Sequence, residues 1–128
     1  MQIINFICQL FSSARIVENY EEVTLVGPKG TIKTRAKIDT GANMTSVDYL
    51  IAKKIGLIQK NNIVGTKTFI SGLGKQSRKI AKCTIIVGGK TQQTSVSISD
   101  RGHMRHKVIV GRINLQGMLV RPGAKEEV

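Results

Sequence analysis

The chain consists of short runs of β-branched and apolar residues separated by glycine turns, and this pattern leaves little room for long helices. Residues 23–26 and 31–38 flank the turn formers Gly27-Pro28-Lys29-Gly30, which predicts two strands joined by a tight connection. A chain of 128 residues with 13 Gly and 2 Pro can bury one core without a disulfide or a structural metal. We therefore expect a single all-β domain.

Period-two alternation returns in the second half of the chain. A glycine-rich tip at residues 71–74 and the turn Gly88-Gly89-Lys90 each join two alternating segments, which predicts two hairpins. The further strands that we expect are residues 66–70, 76–82, 83–87, 94–98, 108–110 and 117–120. One helix is predicted for residues 46–55, where apolar residues recur at helical spacing before Gly56.

No linker divides the chain, so we assign residues 21–123 to one domain, residues 1–20 to an N-terminal extension that can be flexible, and residues 124–128 to a tail. The apolar run at residues 3–11 is far shorter than the roughly 20 residues of a membrane helix, so no membrane span is expected. It lacks a basic region before it, and a short docking element explains it better than a signal peptide. Ser12-Ser13-Ala14 nevertheless leaves a signal peptide open.

The net charge of +12, from 20 Lys and Arg against 8 Asp and Glu, attracts nucleic acids, anionic membranes or acidic substrates. The basic residues are scattered, and 3 Phe and 2 Tyr supply few surfaces on which bases could stack. A nucleic-acid-binding β-barrel is therefore only a weak alternative. Cys8 and Cys83 show no C-x-x-C spacing and are expected to be free buried thiols in a reducing, cytoplasmic setting.

An acidic residue stands directly after an apolar strand in Ile38-Asp39-Thr40-Gly41-Ala42. The strand tends to bury the carboxylate, and burial of an isolated charge is costly. The glycine permits a sharp turn that can point backbone N–H groups at the carboxylate, and the threonine hydroxyl can brace the loop. From these residues alone, a turn that merely ends the strand is the better interpretation.

The order of four features from residue 23 to residue 122 resembles the retropepsin-like aspartic peptidases. The features are the Asp39-Thr40-Gly41-Ala42 loop, a hairpin tipped by residues 70–74, a hairpin around Gly88-Gly89, and the apolar-Gly-Arg run at residues 108–112. The resemblance implies a retropepsin-like closed β-barrel, the acid protease fold, with one short helix. It also implies an aspartic-type endopeptidase that acts on a peptide or protein substrate.

The same resemblance assigns roles to individual residues. Catalysis would fall to Asp39, Thr40 and Gly41. Substrate binding would involve Ala42 and the flap residues Ile70, Ser71, Gly72, Leu73 and Gly74, and support of the loop would come from Ile109, Val110, Gly111 and Arg112. Retroviral members commonly have an acid where Asn43 stands, so an ion pair of Arg112 would become a neutral hydrogen bond here.

Aspartic peptidases use two carboxylates about 3 Å apart that share one proton. This chain has one Asp-Thr-Gly, so the resemblance implies a homodimer in which a second copy supplies the other Asp39. A retropepsin-fold adaptor that pairs but does not cleave peptides is the main alternative.

The run from Asp100 to Arg112 most resembles bacterial and archaeal proteins named ATP-dependent zinc proteases, which are often encoded with ATP-grasp glutamate ligases. This implies an association with such a ligase and a glutamate-containing substrate. The residues give little support to zinc, because there is no H-E-x-x-H and His103 with His106 forms only an H-x-x-H. No phosphate-binding G-x-x-x-x-G-K-[ST] occurs either. We therefore expect no metal or other cofactor, and a hydrogen-bonded structural role for His103.

Overall fold

A computed structural model describes residues 15–125, in which short strands predominate. The strands are β1 (Arg15–Glu18), β2 (Tyr20–Gly27), β3 (Gly30–Ile38), β4 (Ser46–Asp48), β5 (Ile63–Ser71), β6 (Gly74–Val87), β7 (Lys90–Ser99), β8 (Val108–Val110) and β9 (Met118–Arg121). Helix α1 (Tyr49–Lys54) and two 3-10 turns, Lys60–Asn62 and Arg112–Asn114, complete the described elements.

Six strands close into a barrel in the order β2-β3-β8-β4-β7-β6, because β2 pairs with β6 as well as with β3. β5 pairs with the first half of β6 and forms a hairpin with it. β1 and β9 form a separate parallel pair. The expectation of an all-β closed barrel with one short helix is confirmed.

The core lies inside this barrel and is filled by alternate residues of its strands. Val23 and Leu25 of β2 and Ile85 and Val87 of β6 belong to it, and all four side chains are buried. Each such side chain contributes about 1.5–3 kcal/mol when it leaves water. Period-two alternation therefore identifies the inward-facing residues correctly.

Strand β8 lies between β3 and β4, parallel to the first and antiparallel to the second. The loop that joins β3 to β4, residues 39–45, must therefore pass over the end of β8. This loop contains Asp39.

The helix is shorter than the prediction for residues 46–55, which is wrong at its N-terminal end. Residues 46–48 form β4, which pairs with β7 and β8, so ladder hydrogen bonds outweigh the helical spacing of the apolar residues there. Asp48 caps the helix, since its side chain accepts from the N–H of Leu50 at 3.1 Å. Gly56 follows the helix with φ of +81°, a conformation that glycine adopts without strain.

The hairpin arms also differ from the prediction. The segments expected as residues 76–82 and 83–87 are one continuous strand, β6. Nothing in the sequence interrupts the pattern between them, because Ala81, Cys83, Ile85 and Val87 alternate as buried residues.

Residues on both sides of the assigned domain take part in the fold. β1, within the assigned extension, pairs with β9 in the register Ile16↔Leu119. Asn19 exchanges two hydrogen bonds with the backbone of Ala124, at 2.9 and 3.3 Å, and so connects the assigned tail to the barrel. Cys8, the apolar run at residues 3–11 and Ser12-Ser13-Ala14 lie outside the described residues.

Among residues 15–125, the structure has no helix with the length and apolar character that membrane crossing requires.

Cys83 is a free, buried thiol, as predicted. Burial raises its pKa from 9.0 to about 11, so at pH 8 its thiolate fraction is about 100-fold below that of an ordinary cysteine. In a Cys8→Ser background, we expect a thiol reagent to modify the native protein about 100-fold more slowly than the urea-unfolded protein. Equal rates in the two states would contradict the buried position of Cys83.

Candidate active site

Asp39 is the first residue after β3, and its backbone is held by the neighbouring strand. Its N–H donates to the carbonyl of Val110 at 2.9 Å. The carboxylate oxygen Oδ1 accepts from the N–H of Gly41 at 2.9 Å. Asp39 is half-buried, whereas Thr40 and Gly41 are exposed. The loop therefore presents a fixed carboxylate at the barrel surface.

The loop is held from below by the segment that follows β8. The N–H groups of Arg112 and Ile113 donate to the carbonyls of Ala42 and Asn43 at 2.8 and 3.0 Å. Gly111 makes this crossing possible, since a Cβ there would lie 2.5 Å from the backbone C and O of Met44. The predicted supporting run, residues 109–112, is thus next to the Asp39 loop.

The side chain of Arg112 contacts a different group from the one expected. Its Nη1 donates to the carbonyl of Thr40 at 2.8 Å. Asn43 instead accepts a hydrogen bond from the N–H of Ile113 through its backbone carbonyl. The hydrogen bond from the charged guanidinium of Arg112 to the backbone carbonyl of Thr40 stabilises the turn of the Asp39 loop, so no acidic residue is needed at position 43.

A buried polar network below the loop was not predicted. Thr45 is fully buried, donates to Oδ1 of Asn114 at 2.6 Å and accepts from the N–H of Gly111 at 3.2 Å. Gln92 of β7 exchanges two further bonds with Asn114, at 3.0 and 3.3 Å. Satisfied buried polar groups of this kind favour one arrangement of the loop. Single polar residues spread over residues 45–114 give no sequence pattern that reveals such a network.

Two other carboxylates are at the ends of strands, Asp48 as the last residue of β4 and Asp100 directly after β7, and neither shares the setting of Asp39. Asp48 is 2% exposed, and its two oxygens accept from the N–H groups of Leu50 and Arg101. Asp100 is exposed and accepts from the N–H of Gly102 at 2.9 Å in a local turn. Asp48 is therefore a structural cap, and Asp100 is part of a loop.

A cleft of about 390 Å³ lies beside the Asp39 loop. Its lining comes from the loop, from the β5–β6 hairpin, and from Ser46 of β4 and Ile109 of β8. The lining residues are Gly41, Ala42, Asn43, Met44, Ser46, Lys67, Thr68, Phe69, Ile70, Arg78 and Ile109. Ala42 and Ile70, both predicted to bind substrate, are among them.

The remaining predicted substrate-binding residues, Ser71 to Gly74, are at the exposed tip of the β5–β6 hairpin. They are not part of the cleft lining. Leu73 is 102% exposed and Ile70 is 77% exposed, so the tip carries two large apolar side chains into solvent.

The cleft is electrostatically positive. Lys67 and Arg78 are cross-strand partners in the hairpin and both line the cleft. Burial lowers the pKa of Arg78. The pKa of Arg101 is also lowered, mainly by burial and then by the positive charge of Arg78, while Asp48 and Asp39 act in the opposite direction.

The histidines do not form a metal site with other residues of the described chain. No group of three His, Cys, Asp or Glu side chains among residues 15–125 is placed to hold a metal ion. The ring of His106 stacks on Tyr20 with centroids 5.0 Å apart. His103 is exposed, and its side chain makes no hydrogen bond to another described residue, so the hydrogen-bonded role predicted for it has no partner within residues 15–125.

A second cleft, of about 520 Å³, lies between β2, β6 and β7 and is lined in part by Cys83. It is larger than the cleft beside Asp39 and shares no lining residue with the Asp39 loop.

Comparison with known proteins supports the fold. No protein-family model and no curated protein matches the sequence. A Legionella pneumophila protein of unknown function (DUF785) is similar with a TM-score of 0.55 and 18% identity, covering 86% of this chain and 94% of that one. EIAV protease complexed with the inhibitor HBY-793 is similar with a TM-score of 0.59 and 18% identity, covering 76% and 84%.

The solution structure of simian foamy virus (mac) protease is also similar, with a TM-score of 0.52 and 19% identity, covering 75% of this chain and 90% of that one. At such identities the likeness concerns the fold alone. The fold is that of the retropepsin-like aspartic proteases.

Sequence reasoning missed the cationic wall of the cleft. Lys67, Phe69 and Arg78 are on one face of the hairpin because Lys67 pairs with Arg78 and alternate residues of a strand share a face. That face could have been deduced once Ser71 and Gly74 were identified as the residues that close the turn. Which face points at the Asp39 loop follows only from how the hairpin folds over the barrel.

Proposed function

We propose that the protein is a homodimeric aspartic-type peptidase in which Asp39 of each subunit contributes to hydrolysis of a peptide bond. The observation that carries this proposal is the setting of Asp39. Its carboxylate accepts from the N–H of Gly41 at 2.9 Å, on a loop that is held rigidly from below and borders a cleft.

The chemistry requires two such carboxylates with one proton between them. The ionised carboxylate removes a proton from a bound water, whose oxygen attacks the carbonyl carbon, while the other carboxylic acid protonates the carbonyl oxygen. The resulting tetrahedral diol then breaks its C–N bond as the amine nitrogen receives a proton. No metal is needed, because the two carboxyl groups exchange the acid and base roles.

The second carboxylate would come from a second copy of the chain. Asp48 is unsuitable because it is buried and both its oxygens are bonded. Thr40 and Gly41 are exposed, so a two-fold axis beside them would bring two Asp39 loops together through an isologous contact.

Exposed apolar groups on the terminal strands are consistent with such pairing. Ile16 and Leu119 are adjacent in the β1–β9 pair and are 55% and 51% exposed. Covering this pair in a dimer would remove apolar surface from water.

The tip of the β5–β6 hairpin would act as a flap. Leu73 and Ile70 are exposed in the isolated subunit, and closure over a bound peptide would bury them and exclude water from the reacting bond. Gly72 and Gly74 flank Leu73 and allow the tip to bend.

The test is direct. Purified full-length protein is incubated with a mixture of unstructured peptides from pH 4 to pH 7, and products are identified by mass spectrometry. We expect internal cleavage with a maximum at an intermediate pH, because only the singly protonated pair of carboxyl groups is active. The oligomeric state is measured in parallel by analytical ultracentrifugation.

The absence of cleavage from a protein that is dimeric and binds peptides would favour the alternative, a peptide-binding adaptor with this fold. A strictly monomeric protein at all concentrations would overturn the peptidase proposal, because residues 15–125 of one chain provide one suitable carboxylate.

A further inference from the structure

We propose that the cleft beside Asp39 selects peptides that carry a carboxylate side chain close to the scissile bond, and that Arg78 recognises this carboxylate. The proposal rests on the peptidase function proposed above and adds the chemical class of the substrate. It is based on the fixed position of Arg78 and on two features of residues 15–125, which provide no counter-charge for Arg78 and leave some of its N–H groups without a partner.

Arg78 is held in place on the cleft wall by three contacts. Its Nε donates to Oε1 of Gln76 at 2.8 Å, and its Nη1 donates to Oγ of Ser46 at 3.2 Å. The guanidinium lies 4.6 Å from the ring centre of Phe69, which is within the range of a cation–π contact. A guanidinium fixed in this way loses little further freedom when it binds a ligand.

No described carboxylate neutralises this cation. Within residues 15–125, no Asp or Glu forms an ion pair with Arg78, and the cleft lining contains no acidic residue. Two neighbours add positive charge, since Lys67 is its cross-strand partner and Arg101 is close enough to be repelled by it. The carboxylates of Asp48 and Asp39 act on Arg101 in the opposite direction. Neighbouring positive side chains repel each other, and an anion that binds between them lowers their electrostatic energy.

The geometry suits a carboxylate. Among residues 15–125, no hydrogen-bond partner is found for Nη2 of Arg78. Nη1 donates one of its two N–H groups to Oγ of Ser46 and has the other available. The planar fork of a guanidinium can then bind both oxygens of a carboxylate. Ser46, Phe69 and Arg78 line the same cleft as Ala42 of the Asp39 loop, so the bound side chain belongs to a residue near the bond that is cut.

The general charge of +12 also attracts acidic peptides, and the experiment must separate that effect from a local one. Long-range attraction acts on an acidic residue anywhere in a peptide and weakens with salt. A contact with Arg78 acts at one peptide position and depends on one side chain.

The experiment uses pairs of peptides in which Glu and Gln, which have the same shape, are exchanged at one position at a time around a cleaved bond. At about pH 6 and roughly 150 mM salt, where Glu is ionised, we expect one position at which Glu raises kcat/KM over Gln by about tenfold or more, the size of one charge-assisted bond. Arg78→Met is expected to bring that Glu-to-Gln ratio close to one. Arg78→Glu is expected to reverse that ratio, so that the Gln peptide is cleaved faster than the Glu peptide, because two carboxylates repel each other.

Lys79→Met is the matched control. Lys79 is exposed on the same strand, is absent from the cleft lining and carries the same charge, so its removal should leave the Glu-to-Gln ratio unchanged. A ratio that falls equally in Lys79→Met and Arg78→Met would show that only the net charge matters and would overturn the inference.

Binding of the same peptides to the Asp39→Asn variant, measured by fluorescence anisotropy, separates the two proposals. Cleavage with no preference for Glu at any position would overturn the acidic specificity and leave the peptidase proposal standing. A Glu preference in binding that depends on Arg78, without any cleavage by the unchanged protein, would support the acidic cleft and overturn the peptidase proposal. If peptides neither bind nor are cleaved, both are wrong.

Discussion

Asp39→Asn is expected to reduce peptide cleavage by about 10²- to 10⁴-fold, the contribution of a positioned acid or base. Each dimer would lose both carboxylates, so no group could take the proton of the attacking water. The fold should persist, because the substituted side chain keeps an oxygen that can accept from the N–H of Gly41. The measurements are kcat/KM on a cleaved peptide and the urea midpoint of the same preparation.

Asp100→Asn is the control for the loss of one negative charge. Asp100 is exposed and accepts from the N–H of Gly102 through one oxygen, a bond that an amide oxygen can also accept. The activity of this variant should match that of the unchanged protein. If Asp39→Asn retained full activity while folded, Asp39 would not be a catalytic residue.

Mixing subunits tests whether the active site is shared. A dimer formed from one unchanged subunit and one Asp39→Asn subunit would hold a single carboxyl group at its site and should be inactive. Adding an equal amount of Asp39→Asn protein to a fixed amount of unchanged protein should therefore lower activity to about one half after subunit exchange. Unchanged activity would indicate that each chain works alone.

Gly111→Ala is expected to destabilise the protein by roughly 2–4 kcal/mol. The backbone at Gly111 has φ of −90° and ψ of 172°, which alanine adopts readily, so the cost is steric. A Cβ there would lie 2.5 Å from the C and O atoms of Met44, and backbone atoms cannot rotate away as a side chain can. Urea unfolding measures the change in the free energy of unfolding.

Gly65→Ala provides the comparison. A Cβ at Gly65 would meet no atom within 4 Å, and the residue is exposed on β5, so the change should stay within about 0.5 kcal/mol. Equal losses of stability in the two variants would contradict the close passage of the chain after β8 beneath the Asp39 loop. A folded Gly111→Ala protein should also have reduced activity, because that loop would be displaced.

Local patterns predicted much of the barrel. The strands around Gly27-Pro28-Lys29-Gly30 and Gly88-Gly89-Lys90 form as expected, since each pairs two adjacent segments through a turn whose residues favour that geometry. The helix was predicted too long because residues 46–48 pair with β7 and β8. Such pairing involves residues some 50 to 60 positions away, so the spacing of apolar residues within residues 46–55 cannot reveal it.

For the site, the sequence by itself determined that Asp39 ends an apolar strand, that Gly41 can turn the chain there, and that an apolar run ending at Gly111 is available to support it. These are properties of adjacent residues, so they can be read from the order of the chain. Only the tertiary structure decided that β8 passes beneath the loop and that the hairpin turns Arg78 toward Ser46. Barrel closure imposes both, because it brings strands distant in sequence into contact.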